Sequence, residues 1–125
     1  MVTTVATALA GLIGAAVVFM GVHAFFAPHA AAGFGIPGTP TEDPAFRSWL
    51  NVKSARDIAS GLIILLVLAA GTPQLLGWLV LIATGIPVAD GLIVLRAKGP
   101  KATAYGVHLA TAAVMLVVSV LLLLG

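Results

Sequence analysis

The sequence predicts an all-α integral membrane protein: an antiparallel four-helix bundle of four transmembrane helices, with a short interfacial helix in the first loop. Of its 125 residues, 61% are hydrophobic and only 8% are charged, whereas an average soluble domain has about 25% charged residues. The mean hydropathy is +1.18. A helix needs about 20 apolar residues to cross a bilayer, so four spans would use most of the chain. Residues 1–125 are therefore predicted to form a single membrane domain.

The predicted first span is rich in small residues. It contains two pairs of small residues four positions apart, Ala10 with Gly14 and Gly11 with Ala15, and such pairs let helices approach closely. No Lys or Arg precedes Arg47, so the positively charged start of a signal peptide is missing and we interpret this stretch as a retained span. The predicted spans are 3–23, 49–70, 75–95 and 102–124.

Residues 24–48 form the only long predicted loop. Pro28 suits the first turn of a short helix, and Gly33 or Gly35 suits its end. Phe25, Phe26, Phe34 and Ile36 make the first half apolar, which favours a helix lying at the membrane interface. A connection this long is often functional, for example as a lid, although a loop that only follows the lipid headgroups fits equally well.

The third predicted span has one face of small residues. Gly77, Thr84 and Gly91 recur every seven residues, which predicts close packing of this face against another helix. Pro87 and Asp90 lie beside it.

The basic residues predict the orientation in the cell membrane. All of them lie near the first and third connections, whereas the second connection and both termini have no Lys or Arg. The positive-inside rule then predicts cytoplasmic charged loops and both termini outside. The residues concerned are Arg47, Lys53, Arg56, Arg96, Lys98 and Lys101.

Ionisable residues of three spans are predicted to share one layer near the cytoplasmic face. Counted from the nearest basic turn at ~1.5 Å per residue, Asp90 and His108 lie roughly 9 and 10 Å deep. Arg56 and Asp57 fall at a similar level. An unpaired charge there costs on the order of 2.5–3.5 kcal/mol, so we predict that Arg56 pairs with the carboxylate of Asp57 or Asp90.

This layer is the candidate functional site. An acid and a histidine can move protons, which makes Asp57, Asp90 and His108 the candidate catalytic residues. The candidate ligand-binding residues around them are Arg56 as an anion clamp, Lys53, Tyr105 and His23. The alternative interpretation is that the layer only fixes the register of the helices.

Several classes of protein are excluded or disfavoured. The chain has no cysteine, which removes disulfides, thiolate metal sites and Cys-x-x-Cys oxidoreductases. It has no basic run with interleaved aromatic residues, so nucleic acid is not expected as a partner. Phosphate-loop, metalloprotease and hydrolase motifs are also missing. Haem ligation by His23 and His108 is a weak alternative. A small multidrug exporter is disfavoured because it would have an acid in the first span, and this first span has none. No metal and no cofactor is predicted.

The chain resembles a family of small four-helix membrane proteins that is catalogued as a domain of unknown function and is similar in layout to the DoxX-like group. Three elements carry the resemblance: Phe-Phe-Ala-Pro-His from Phe25, the Lys-x-x-Arg-Asp element from Lys53 with the following Gly61, and Ile-Pro-Val-Ala-Asp ending at Asp90. The resemblance implies a four-helix bundle. Some DoxX-like relatives are membrane subunits linked to quinone-dependent oxidation, but the resemblance implies no particular activity here.

Three functions are consistent with these patterns. The favoured hypothesis is a protein whose polar layer binds, and by acid–base chemistry transforms, a small lipophilic molecule. The alternatives are a non-enzymatic accessory or structural membrane subunit and a small proton-coupled transporter. The expected partners are membrane lipids, a small lipophilic ligand, and a second copy or a partner membrane protein.

Overall fold

The computed structural model describes residues 1–125 and is helical throughout, with no strands. Short connections join the helices, except for the loop after the first helix, which contains a 3₁₀ helix. The elements are α1 (Val2–Phe26), the 3₁₀ helix (Pro28–Phe34), α2 (Pro44–Ala70), α3 (Pro73–Ala83), α4 (Gly85–Arg96), α5 (Lys101–Thr103), a π-helical segment (Ala104–Leu109) and α6 (Ala110–Leu124).

Three helical stretches are long and apolar enough to cross a membrane, namely Val2–Phe26, Pro73–Arg96 and Lys101–Leu124. They indicate an integral membrane protein. Helix α2 is 27 residues long, yet it is not among the three. The reason is its first half, which carries the charges of the Lys-x-x-Arg-Asp element, whereas the uncharged part from Ile58 to its end is shorter than a full span.

Side-chain caps mark the starts of α2 and α3. The Asp43 carboxylate accepts a hydrogen bond of 2.9 Å from the Phe46 N–H at the start of α2. The Thr72 hydroxyl accepts one of 3.1 Å from the Leu75 N–H at the start of α3. A proline follows each cap, and proline fits the first helical turn because its missing N–H would be unpaired there anyway.

Helices α3 and α4 form one helical stretch that is interrupted at Thr84. Proline in a helix removes a backbone hydrogen bond and crowds the carbonyl four residues earlier. Pro87 does this to Ala83, which is the last residue of α3. The neighbouring backbone hydrogen bonds persist, from the Thr84 N–H to the Val80 carbonyl and from the Val88 N–H to the Thr84 carbonyl. Helices α3 and α4 therefore remain joined by backbone hydrogen bonds across the interruption.

Glycines let the helices approach closely. A Cβ on Gly61 would lie 2.5 Å from the Gly14 carbonyl oxygen, and one on Gly21 would lie 2.8 Å from the Ser54 carbonyl oxygen, so α1 and α2 cross almost backbone to backbone. The predicted small face of the third span is also buried. There Gly77 packs against α6 and Gly91 packs against Leu109 in the π-helical segment.

The hydrophobic core lies towards the end of the bundle that holds both termini. Helix α1 packs along α2, α3 packs along α6, and α1 also contacts α6. Thr3 lies beside Gly125, so the two termini are neighbours. The buried cluster between these helices is aliphatic and consists of Ala6, Ala10, Ile64, Leu76, Val80, Met115, Val118 and Leu122.

At the opposite end, the predicted short loop helix is present as the 3₁₀ helix. Pro28 stands in its first turn, and Gly35 ends it in the left-handed conformation with φ of 109°. A Cβ on Gly35 would lie 3.0 Å from Thr103 Cγ2 and 3.1 Å from Val94 Cγ1. Glycine therefore both adopts the positive φ and lets the loop lie directly against the ends of α4 and α5.

Candidate functional site

A cavity of about 680 Å³ lies between the long loop and the charged halves of the helices. This volume is within the range of about 300–1,000 Å³ that is usual for small-molecule sites. Its walls are mostly apolar and come from α1, the loop, the first half of α2, α4 and the π-helical segment. The lining includes Phe19, Met20, His23, Ala24, Ala31, Phe34, Ile36, Pro37, Phe46, Trp49, Leu50, Lys53, Asp57, Ile93, Val107 and His108.

An ion pair forms the polar part of the α2 wall. Lys53 Nζ donates a hydrogen bond of 2.6 Å to Asp57 Oδ2, one helical turn later. The lysine side chain is 46% exposed and the aspartate side chain is 23% exposed. Because the ammonium has three donors and the carboxylate has two oxygens, each partner keeps hydrogen-bonding capacity beyond this bond.

Phe34 connects the loop to both polar walls of the cavity. Its ring lies 4.4 Å from the His108 ring, measured between centroids, and Lys53 Nζ lies 5.8 Å from the centre of the same ring. Its carbonyl oxygen accepts a hydrogen bond of 2.7 Å from His108 Nε2. A carbonyl can only accept, so Nε2 carries the proton, and in the neutral ring Nδ1 is then an acceptor.

The π-helical segment places His108 at the cavity. At its end the Ala110 N–H bonds to the Tyr105 carbonyl, five residues earlier, which inserts one extra residue into the turn. Single π-helical turns are rare and often occur at functional sites. Here His108 lines the cavity, while Tyr105 is 57% exposed on the outside of the bundle.

The structure brings four of the seven predicted site residues to the cavity. Lys53, Asp57, His108 and His23 line it, with the His23 ring stacked on Phe19 at 5.6 Å between centroids. The other three are absent from the lining, and these are Arg56, Asp90 and Tyr105.

Asp90 lies behind the cavity wall rather than on it. Its side chain is half-buried and has no hydrogen-bond or ion-pair partner within the chain. The next residue, Gly91, packs against Leu109 beside His108, so Asp90 lies close to a residue that lines the cavity. Asp90 therefore lies near the cavity without lining it, and part of its side chain is exposed.

The predicted pairing of Arg56 with an aspartate was wrong. Arg56 is exposed, and its guanidinium donates only to the Val52 carbonyl at 3.3 Å. The partner of Asp57 is Lys53, because residues four apart lie on one helix face whereas adjacent residues point in different directions. Arg56 instead extends back towards the start of α2, as a long basic side chain does when it reaches for a membrane surface.

Comparison with known proteins identifies the family. Residues 14–122 match the family model described as a domain of unknown function, DUF4267. The chain belongs to this family. No curated protein and no solved structure matches it.

Sequence reasoning missed the residue at the centre of this DUF4267 site. Phe34 was predicted only as one apolar residue of the loop, although it contacts both His108 and Lys53. A local signal was present, because Phe34 stands between two glycines. The pattern can be interpreted only with the structure, in which Gly35 makes a left-handed turn and packs closely against Val94.

The cavity lining offers balanced hydrogen-bonding groups. Lys53 supplies N–H donors, Asp57 supplies carboxylate oxygens, and the His108 ring, when it is neutral, supplies its Nδ1 acceptor. His23 adds a second ring, which has no hydrogen-bond partner within the chain. No group of three or more potential ligand residues is placed to hold a metal ion. Such an arrangement can bind a polar group by hydrogen bonds and can exchange protons with it.

Proposed function

We propose that this DUF4267 protein is a four-span membrane protein that binds a small lipophilic molecule in the cavity beneath its long loop. The observation that carries the proposal is the composition of that cavity, a mostly aromatic and aliphatic wall with Lys53, Asp57 and His108 at one side. Ligand sites are typically apolar with a few convergent polar groups. The similarity in layout to DoxX-like proteins is part of the same proposal.

The fourth span of this proposal is α2. Its charged side chains are at or near the cavity, or extend towards the start of the helix, and Ile58–Ala70 is uncharged. Charged residues within membrane helices usually face a cavity or the bundle interior and mark functional sites. The pairing of Lys53 with Asp57 supports the entry of these two side chains into the membrane as a neutral pair.

Acid–base chemistry on the bound molecule is the finer part of the proposal. His108 would exchange a proton through Nδ1, and Asp57 would orient the polar group of the substrate together with Lys53. Asp90 would act on His108 through its charge from behind the wall. His23 would contact the opposite end of the polar group.

Mass spectrometry of the purified protein tests the binding proposal. We expect a defined lipophilic molecule to accompany the wild-type chain and to be lost from Ala24→Phe, because Ala24 lines the cavity and a phenyl ring there would obstruct part of it. The matched control is Ala59→Phe, on the exposed face of α2 and away from the cavity. A wild-type protein that carries only bulk membrane lipid, as both variants do, would reject binding in favour of an accessory or structural subunit.

The proposed orientation is tested separately. The basic residues are gathered at one end of the bundle, which predicts a cytoplasmic position for the turn at Gly99 and an outside position for Gly125. Reporter fusions at both sites measure this directly. A cytoplasmic reporter signal from Gly125 would contradict the orientation without affecting the cavity.

A further inference from the structure

We infer that the cavity selects a lipophilic molecule with an uncharged head that both donates and accepts hydrogen bonds, such as a hydroxyl or a carbonyl with a neighbouring hydroxyl. The inference rests on the proposed binding function and names its substrate class. It depends on how the charges of the cavity lining are already used.

The only two formal charges on the cavity lining neutralise each other. Lys53 and Asp57 are joined at 2.6 Å, and no other Lys, Arg, Asp or Glu lines the cavity. A carboxylate or phosphate head would add a second negative charge beside Asp57, with only Lys53 to balance the two. An ammonium head would do the reverse. Burying an unpaired charge is costly, so both kinds of charged head are disfavoured.

The remaining capacity of the lining is of both kinds. The Lys53 ammonium keeps N–H donors and the second oxygen of Asp57 keeps acceptor sites, since a single bond between them is present. His108 donates through Nε2 to the Phe34 carbonyl, which leaves Nδ1 as an acceptor. A hydroxyl group satisfies a donor and an acceptor at once, and it leaves the ion pair intact.

Phe34 reinforces this selectivity because it already shields the ammonium. Its ring lies 5.8 Å from Lys53 Nζ, a distance at which the ring face attracts a cation. The ammonium is thus held by an anion and an aromatic ring before any ligand arrives. Arg56, the remaining cation of the Lys-x-x-Arg-Asp element, is not in the cavity lining and cannot supply a second positive charge there.

The test uses Trp49, which lines the cavity, in a Trp78→Phe background that removes the only other tryptophan. The protein is placed in nanodiscs of neutral lipid, and its fluorescence is quenched by ω-bromooctanol, ω-bromooctanoate or ω-bromooctylammonium. Specific quenching is the part that Ala24→Phe removes, since quencher dissolved in the lipid affects both proteins. We expect specific quenching by the alcohol at a concentration about tenfold or more below that of either charged probe.

Two charge variants test the cause of the selectivity. Asp57→Asn frees the ammonium and should shift the preference to the carboxylate, whereas Lys53→Gln frees the carboxylate and should shift it to the ammonium. A wild-type preference for a charged probe, or variants that leave the order of the three probes unchanged, would overturn the inference while the binding proposal stands. Absence of any specific quenching would instead overturn the binding proposal itself.

Discussion

The two ends of this helical bundle differ in their packing and in their polarity. The end that holds the termini has no Lys, Arg, Asp, Glu or His, and it is filled by the aliphatic cluster around Leu76 and Leu122. The other end contains every ionisable side chain, the long loop, the π-helical segment and the cavity of about 680 Å³. We call the end with the aliphatic cluster the packed end and the end with the cavity the open end.

This difference suggests that one end stabilises the fold while the other end forms the site. Without a hydrophobic driving force between helices in lipid, close packing and hydrogen bonds must hold a membrane bundle together. The packed end supplies that cohesion through glycine crossings and interlocking aliphatic side chains. The open end can then keep space and charged groups that contribute little to stability, which is the usual condition of a binding site. Four predictions test this comparison, in order of decreasing effect on stability.

The largest effect is expected from a cavity made in the packed end. Leu76 is 2% exposed and belongs to the aliphatic cluster, so Leu76→Ala should lower the free energy of unfolding by about 2–5 kcal/mol. The matched control is Ile36→Ala in the open end, where the side chain is 40% exposed and already faces a cavity. Unfolding by SDS titration in mixed micelles measures both. Equal losses would mean that the two ends do not differ.

The second prediction concerns the crossing of α1 and α2. Gly61→Ala places a methyl group 2.5 Å from both the Gly14 carbonyl oxygen and Val18 Cγ2, and the helices must separate to accept it. Overpacking of this kind costs about 1–3 kcal/mol. Gly106→Ala is the control, since a Cβ there meets nothing within 4 Å. If the control lost as much stability in the same titration, the glycine crossing would not be a source of cohesion.

Much of the packed end could be predicted from the sequence. The heptad spacing of Gly77, Thr84 and Gly91 identified the buried face of the third span, because spacing on a helix determines which residues share a face. At the open end, Pro28 and Gly35, one of the two glycines predicted to end it, marked the short loop helix in the same way. These features depend on local geometry, for which sequence spacing is sufficient.

The open end could be predicted only in part. Depth along the helices predicted Asp57 and His108 at one level, and both line the cavity, but depth contains no information about rotation. Asp57 was therefore predicted as a possible partner of Arg56, whereas its actual partner is Lys53. The position of Phe34 depends on the loop returning against α4, and the extra residue in the π-helical turn at His108 depends on tertiary contacts. Neither leaves a periodic signal.

The third prediction separates the two basic residues of the Lys-x-x-Arg-Asp element. Lys53→Met leaves Asp57 without its partner, so we expect a loss of up to about 1 kcal/mol, the scale of a partly exposed ion pair, together with loss of the cavity ligand. Arg56→Met removes only a bond to a backbone carbonyl and should leave both stability and ligand unchanged. SDS titration and mass spectrometry of the same samples measure both effects. A larger loss from Arg56→Met would restore the original pairing hypothesis.

The smallest effect on stability is expected at Asp90, where the open end would show its function most clearly. The pair of Lys53 with Asp57 is already neutral, so a further carboxylate at this level is not needed to hold the helices together. Asp90 has no hydrogen-bond or ion-pair partner within the chain, and Asn has almost the same shape. Asp90→Asn should therefore change the free energy of unfolding by no more than about 0.5 kcal/mol.

Ligand occupancy should respond differently. Asp90 precedes Gly91, which packs against Leu109, the residue after His108, so a change at Asp90 is made close to a cavity-lining group. We expect reduced occupancy by the co-purifying molecule in Asp90→Asn, with the unfolding titration superimposed on that of the wild type. The matched comparison is Lys53→Met, which should lose both. Asp90→Asn could instead lose as much stability as Lys53→Met and keep full ligand occupancy. Asp90 would then stabilise the fold rather than serve the site, and the open end would contribute to stability as the packed end does.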